Sequence, residues 1–179
     1  MPTNAPVPPA LNAQQNVIAL LSAGLLTTII DGLFSSILVV AAYGSTVSRL
    51  FQGVAATVVG NSAANGGAAM TALGVLIHCG VAFGWSAIFI FGLLRWQPIR
   101  RVLASSYGVI KIAVVYGPFV WLVMSLIVIP LLSKPVPITI RWWVQLAGHF
   151  PFVGIPIVAS ARRAMAAVRS EIASAASTP

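Results

Sequence analysis

Four stretches of this chain run for about twenty residues or more on mainly apolar side chains, roughly 17–43, 67–94, 107–132 and 142–161. A helix needs about 20 such residues to cross the hydrocarbon of a bilayer. No soluble core helix of ordinary length uses so many. Only helices and closed barrels can span lipid, because every backbone donor and acceptor must be satisfied without water. Runs this long, lacking strict alternation, are not barrel strands. The fold class that follows is all-α: a polytopic membrane protein whose four transmembrane helices form a bundle over 17–161.

Composition agrees. Only 7% of the 179 residues are charged and 59% are hydrophobic, whereas soluble domains carry about a quarter charged residues. The net charge of +8 is not the footprint of a nucleic-acid binder. The ten Lys and Arg sit mostly at the edges of apolar runs, not in a basic stripe interleaved with stacking aromatics. No nucleic-acid partner is expected, and the bilayer itself is the first partner. The single cysteine, Cys79, allows no disulfide within the chain and no CxxC pair, and reads as a small core residue.

The segments between spans carry their own signals. In "STVSRLFQGVAATVVG", Val47, Leu50, Phe51, Val54 and Val58 share one helical face, with Ser45, Ser48, Arg49 and Gln52 mainly elsewhere. This predicts a short interfacial helix between the first two spans, lying at the membrane surface. The Pro-rich 1–16 lacks the basic residues of a secretory signal and reads as a disordered tail, so the first apolar run is expected to be retained. Residues 162–179 read as a basic, Ala- and Ser-rich tail with Glu171 solvated. The second connection and the C-terminal tail hold six Arg, against three Lys and Arg in the first and third connections. Lys111 snorkels to the same side as the six. The positive-inside rule then places both termini in the cytoplasm. Pro118, Pro130, Pro151 and Pro156 predict kinks in the last two spans. Gly80 and Gly84 form a GxxxG pair suited to close helix approach.

Against this background Asp31 stands out. It is one of two acidic residues in the chain and lies inside the first span. Thr27, Thr28 and Ser35 share its helical face, and Gly24 lies seven residues before it, which gives that span a polar stripe that should face other helices. Both histidines also lie within spans. His78 shares a face with Thr71, Gly74, Ala82 and Trp85, and His149 with Gln145. At about 1.5 Å of rise per residue, Asp31, His78 and His149 fall about 18, 15 and 10 Å deep from one membrane face, so they could meet in the bundle interior. Three roles are open. The group can fix helix register, with Asp31 hydrogen-bonded or paired to a histidine. It can relay protons or ions, since imidazole titrates near neutral pH. It can hold a metal ion or haem through His78 and His149, although no ligand-spacing signature accompanies them and no cofactor is expected.

No GxSxG, HExxH or phosphate-cradling loop is present, and two carboxylates in the whole chain exclude paired-carboxylate hydrolysis. The chain therefore reads as a non-enzyme. The stretches "ALGVLIHCGVAFGWSAIF", "YGVIKIAVVYGPFVWLVMSLIVIPLLSKPVP" and "AGHFPFVGIPIVASARRA" together resemble a group of small, uncharacterised bacterial four-helix inner-membrane proteins, the YagU-like proteins among them. The resemblance covers about half of the chain and implies a bacterial inner-membrane location and no known enzymatic activity. It transfers no residue role. The functional expectation is a membrane protein acting through helix contacts, as a homo-oligomer or as an accessory subunit of a membrane complex. The alternative is a transporter or proton/ion handler built on Asp31, His78 and His149, and the third is a haem or metal carrier.

Overall fold

The computed structural model describes residues 10–177. Among them the regular structure is all helical, with no strand, and four helices are long and apolar enough to cross a membrane: Ala13–Ala42, Gly67–Arg95, Gly108–Leu132 and Ile140–Ala176. A shorter apolar helix lies between the first two. By regular element, these are α1 (Ala13–Ile37), α2 (Val47–Val59), α3 (Gly67–Ala87), α4 (Gln97–Ala104), α5 (Gly108–Val123), α6 (Ile129–Leu132), α7 (Ile140–His149) and α8 (Ile155–Ala176). Each span contains one widened turn, at Leu38–Ala42, Ile88–Gly92, Met124–Val128 and Phe150–Gly154. In the last two spans Pro130 and Pro151 supply a cause, since a proline has no N–H to close the normal ladder. Pro118 sits inside α5 without ending it, and Pro156 opens α8 in its first turn.

Two boundaries lie beyond the expected spans. The first helix starts at Ala13, not residue 17, because Asn12 and Gln15 build a reciprocal cap. Asn12 Oδ1 accepts from the Gln15 N–H and Gln15 Oε1 accepts from the Asn12 N–H, both at 2.9 Å. Of the segment read as a disordered tail, residues 1–9 lie outside the described residues. At the other end, the stretch expected as a tail continues α8 to Ala176. Alanine is the best helix former, and Met165 and Val168 are buried at the helical spacing that fastens this extension to the bundle. Glu171 is tied to the start of α1, where Gln15 Nε2 donates to its Oε2 at 3.1 Å. With the Ser22 and Ser160 hydroxyls 3.3 Å apart, α1 and α8 run antiparallel and bring the start of α1 and the end of α8 to one end of the bundle. At the opposite end Arg141 lies over the Tyr43 ring, 4.0 Å from its centroid.

The first span shows the sorting that lipid imposes. Leu21, Leu25, Ile29, Leu33 and Ile37 recur every four residues and are each about half exposed or more, while Ala19, Ala23 and Thr27 are buried. Lipid is as apolar as leucine, so large side chains gain little by turning inward, and small ones let backbones approach. The glycines that carry such approaches are Gly74, Gly117 and Gly154. A Cβ at Gly74 would run into the Phe51 carbonyl of α2, one at Gly117 into the His149 carbonyl, and one at Gly154 into Ala113. Gly80 and Gly84, the motif expected to pack helices, are exposed and would meet nothing within 4 Å. Among the described residues nothing packs on them.

The helix between the first two spans inverts one expectation. Gln52, placed on its solvent side by sequence, is buried. Its Nε2 donates to the Gly67 carbonyl (3.0 Å), Ser48 Oγ (3.2 Å) and Thr71 Oγ1 (3.3 Å). Polar side chains find partners only in the protein, so Gln52 turns inward beside the apolar face and fastens α2 to α3.

The bundle is packed unequally along its length. Near the chain ends, Phe89, Ile90, Leu94, Leu103, Ile157, Val158 and Met165 form an apolar core, beside a groove lined by Leu93, Ile99, Lys111 and Phe119. There the buried Arg100 donates from Nη1 to the carbonyls of Leu94 (3.1 Å) and Arg95 (2.6 Å), covering the end of the second span. The other half, toward α2, is hollow.

Candidate functional site

The hollow half holds a cavity of about 320 Å³, within the range of small-ligand sites. Its polar lining comes from three spans and from Thr57 of α2. Asp31, Thr27 and Ser35 project from α1, His78 from α3, and Gln145 and His149 from α7. The remaining wall is apolar or aromatic, with Val54 of α2, Ile77 and Val81 of α3, and Met124 and Val128 of the third span, together with Trp85 and Trp121. The exposed lining residues, Val58 at the end of α2 and Leu132 at the end of α6, mark where the cavity reaches the surface.

Each histidine is oriented by a backbone carbonyl. His78 Nε2 lies 3.2 Å from the Thr28 carbonyl. A carbonyl can only accept, so Nε2 carries the proton and Nδ1 is the free acceptor of the neutral ring. His78 approaches α1 over Gly32, where a Cβ would stand 3.4 Å from Nε2. Phe51 of α2 meets the same ring edge-on, with centroids 5.8 Å apart. His149 has the opposite tautomer. Its Nδ1 donates to the Gln145 carbonyl at 2.7 Å, which leaves Nε2 as acceptor. Its ring packs on Trp121, with centroids 4.9 Å apart, and it sits immediately before the widened turn at Phe150–Gly154.

Asp31 is the least satisfied member. Its Oδ1 is buried without a hydrogen-bond partner, as is the Thr27 hydroxyl. The carboxylate interacts electrostatically with His149 and, second, with His78, but neither ring is hydrogen-bonded to it. Of the polar neighbours expected to solvate it, Thr27 and Ser35 line the same cavity and Thr28 turns elsewhere. The Thr28 hydroxyl donates to the Gly24 carbonyl at 2.8 Å, and Thr28 stays off the cavity wall. Such back-bonding is the usual refuge of a hydroxyl inside a helix.

The site therefore presents one carboxylate with an unpaired oxygen and two imidazoles, each with one free acceptor nitrogen, around a largely apolar space. Among the described residues, no three His, Cys, Asp or Glu side chains stand close enough together to hold a metal ion. Sequence reasoning placed Asp31, His78, His149, Thr27, Ser35 and Gln145 here and overlooked Trp121, whose neighbours in sequence carry no polar signal. Trp85, seven residues beyond His78, was legible as part of the same helical face. Its backbone carbonyl accepts from Tyr116 Oη at 2.7 Å, which holds the second span against the third beneath the cavity. No family model matches the chain, and no curated protein and no solved structure matches it.

Proposed function

We propose that the protein handles protons within the membrane, with Asp31, His78 and His149 as the groups that bind and pass them. One observation carries this reading: Asp31, His78 and His149, drawn from three helices, line one cavity inside the spans. Ionisable groups are costly in lipid, about 3 kcal/mol on insertion scales, and are retained mainly where they work. A purely structural carboxylate would be expected to have its oxygens hydrogen-bonded, and Asp31 Oδ1 is not. The free acceptor nitrogens of the two rings and the carboxylate oxygens are each able to accept a proton. The test is reconstitution of the full-length protein into liposomes holding a pH-sensitive dye. Protein-containing vesicles should dissipate an imposed pH step faster than protein-free ones. Equal rates would count against the reading.

A second reading, helix-mediated self-association in a bacterial inner membrane, draws on the bare face at Gly80 and Gly84. We place the two chain ends on the cytoplasmic side in either case. Arg95, Arg100, Arg101, Arg162, Arg163 and Arg169, with Lys111 in the first turn of α5, belong to that end of the bundle, and Arg49, Lys134 and Arg141 to the other. A cytoplasm-active reporter fused after Pro179 should work and a periplasm-active one should be silent. The reverse pattern would invert the orientation.

A further inference from the structure

We infer that the cavity binds an amphipathic organic cation: a protonated amine or quaternary ammonium carried on a small apolar body. This rests on the proton-handling reading of the same cavity and names what else its carboxylate holds. The wall offers one anionic group, Asp31, with a buried, unpartnered oxygen. It offers no Lys or Arg, so an anionic ligand would meet the carboxylate without a fixed positive charge to offset it. A neutral ligand would leave the carboxylate's charge uncompensated. A cation satisfies it at a depth where Coulomb attraction is little screened. The rest of the wall suits an apolar body. Val54, Ile77, Val81, Met124 and Val128 are aliphatic or thioether, and Trp85 and Trp121 supply indoles of the kind that attract ammonium groups. The mouth beside Val58 and Leu132 is itself apolar, so a ligand with a greasy body can enter from the lipid side.

The chemistry also fixes how cation and proton relate. The titratable groups facing the cavity are Asp31 from α1, His78 from α3 and His149 from α7, while α2 and the third span bring none to the wall. Protonation of Asp31 removes the attractive charge, and protonation of either imidazole adds a repulsive one. All three changes weaken cation binding, so protons and the cation compete for one site and are bound in exchange.

Benzyltrimethylammonium is a suitable probe, with neopentylbenzene as its uncharged isostere and benzenesulfonate as the anionic control. Equilibrium dialysis against the full-length protein in mild detergent should show saturable binding of the cation that weakens as pH falls. Asp31→Asn should weaken it by about tenfold or more while changing neopentylbenzene uptake little. Trp121→Leu, which leaves the carboxylate in place, should also weaken the cation. Absence of saturable binding, equal cation affinity in the parent and both variants, tighter binding of benzenesulfonate than of the cation, or binding that strengthens at low pH would each overturn the assignment. Vesicles that dissipate a pH step from a protein that does not bind the cation overturn the ligand and leave the proton reading standing. Asp31-dependent cation binding by a protein that carries no protons upholds the ligand and overturns the proton reading.

Discussion

Replacing Asp31 with leucine is expected to make the protein more stable and functionally silent. The carboxylate has a buried oxygen with no hydrogen-bond partner, so removing it leaves no donor stranded, and leucine is at home beside Val54, Ile77 and Val81 of the same cavity. The gain should be about 1–3 kcal/mol, the range set by desolvating an unpaired polar group and by insertion of a charge into lipid. Asp31→Asn keeps the shape without the charge and should fold at least as well as the parent. Both variants should reduce proton flux in proteoliposomes to the protein-free rate. Stability traded for activity is the signature of a working site. A register-fixing Asp31 gives the opposite pattern, in which leucine unfolds the bundle and asparagine rescues it. Chemical unfolding in detergent, read beside flux, separates the two.

The largest loss of stability should come from Gly117→Leu. At this position α5 lies directly on the last span. A Cβ there would stand 2.6 Å from the His149 carbonyl carbon and 2.9 Å from Phe150 Cα. Both obstacles are backbone, so no rotamer change relieves them. On the same interface a Cβ at Gly154 would lie 3.1 Å from Ala113 Cα, so the two spans cannot slide to make room. Overpacking usually costs about 1–3 kcal/mol, and a clash confined between two backbones should reach or exceed the top of that range. The displaced segment carries His149, so the cavity wall moves with it. Gly84→Leu is the control, since nothing lies within 4 Å of that position. It should leave the unfolding transition of the monomer unchanged. Equal transitions for Gly117→Leu and the parent would show that α5 and the last span are not in backbone contact.

The contrast between these glycines shows what a sequence can and cannot disclose here. The spans were legible because crossing a bilayer is a matter of length and composition, which one dimension records. The polar set Asp31, His78 and His149 was legible for a related reason: each is anomalous in its own run. Which glycine meets a neighbour depends on how each helix is rotated, and the GxxxG spacing at Gly80 and Gly84 says nothing about rotation. The same ignorance misplaced Gln52. An amphipathic pattern read as if water were the solvent puts glutamine outside. In lipid its only partners are Ser48, Thr71 and the Gly67 carbonyl, so it turns inward. The extension of α8 was hidden by its arginines. Charge suggests a span has ended, but it does not end a helix whose Met165 and Val168 still pack. The hollow itself had no local signal, because it is bounded by residues from the first span to the last.

The central claim is that both histidines face a shared interior cavity beside Asp31. The chain has only two histidines, so nitrogen-15 solid-state NMR of the histidine-labelled protein in bilayers reads each one separately. At alkaline pH, where both rings are neutral, the account predicts opposite tautomers. His78 should be protonated at Nε2 against the Thr28 carbonyl, and His149 at Nδ1 against the Gln145 carbonyl. Both rings should respond to Asp31→Asn, His149 the more strongly. Two rings of the same tautomer, indifferent to Asp31→Asn and in contact with acyl chains, would contradict the account.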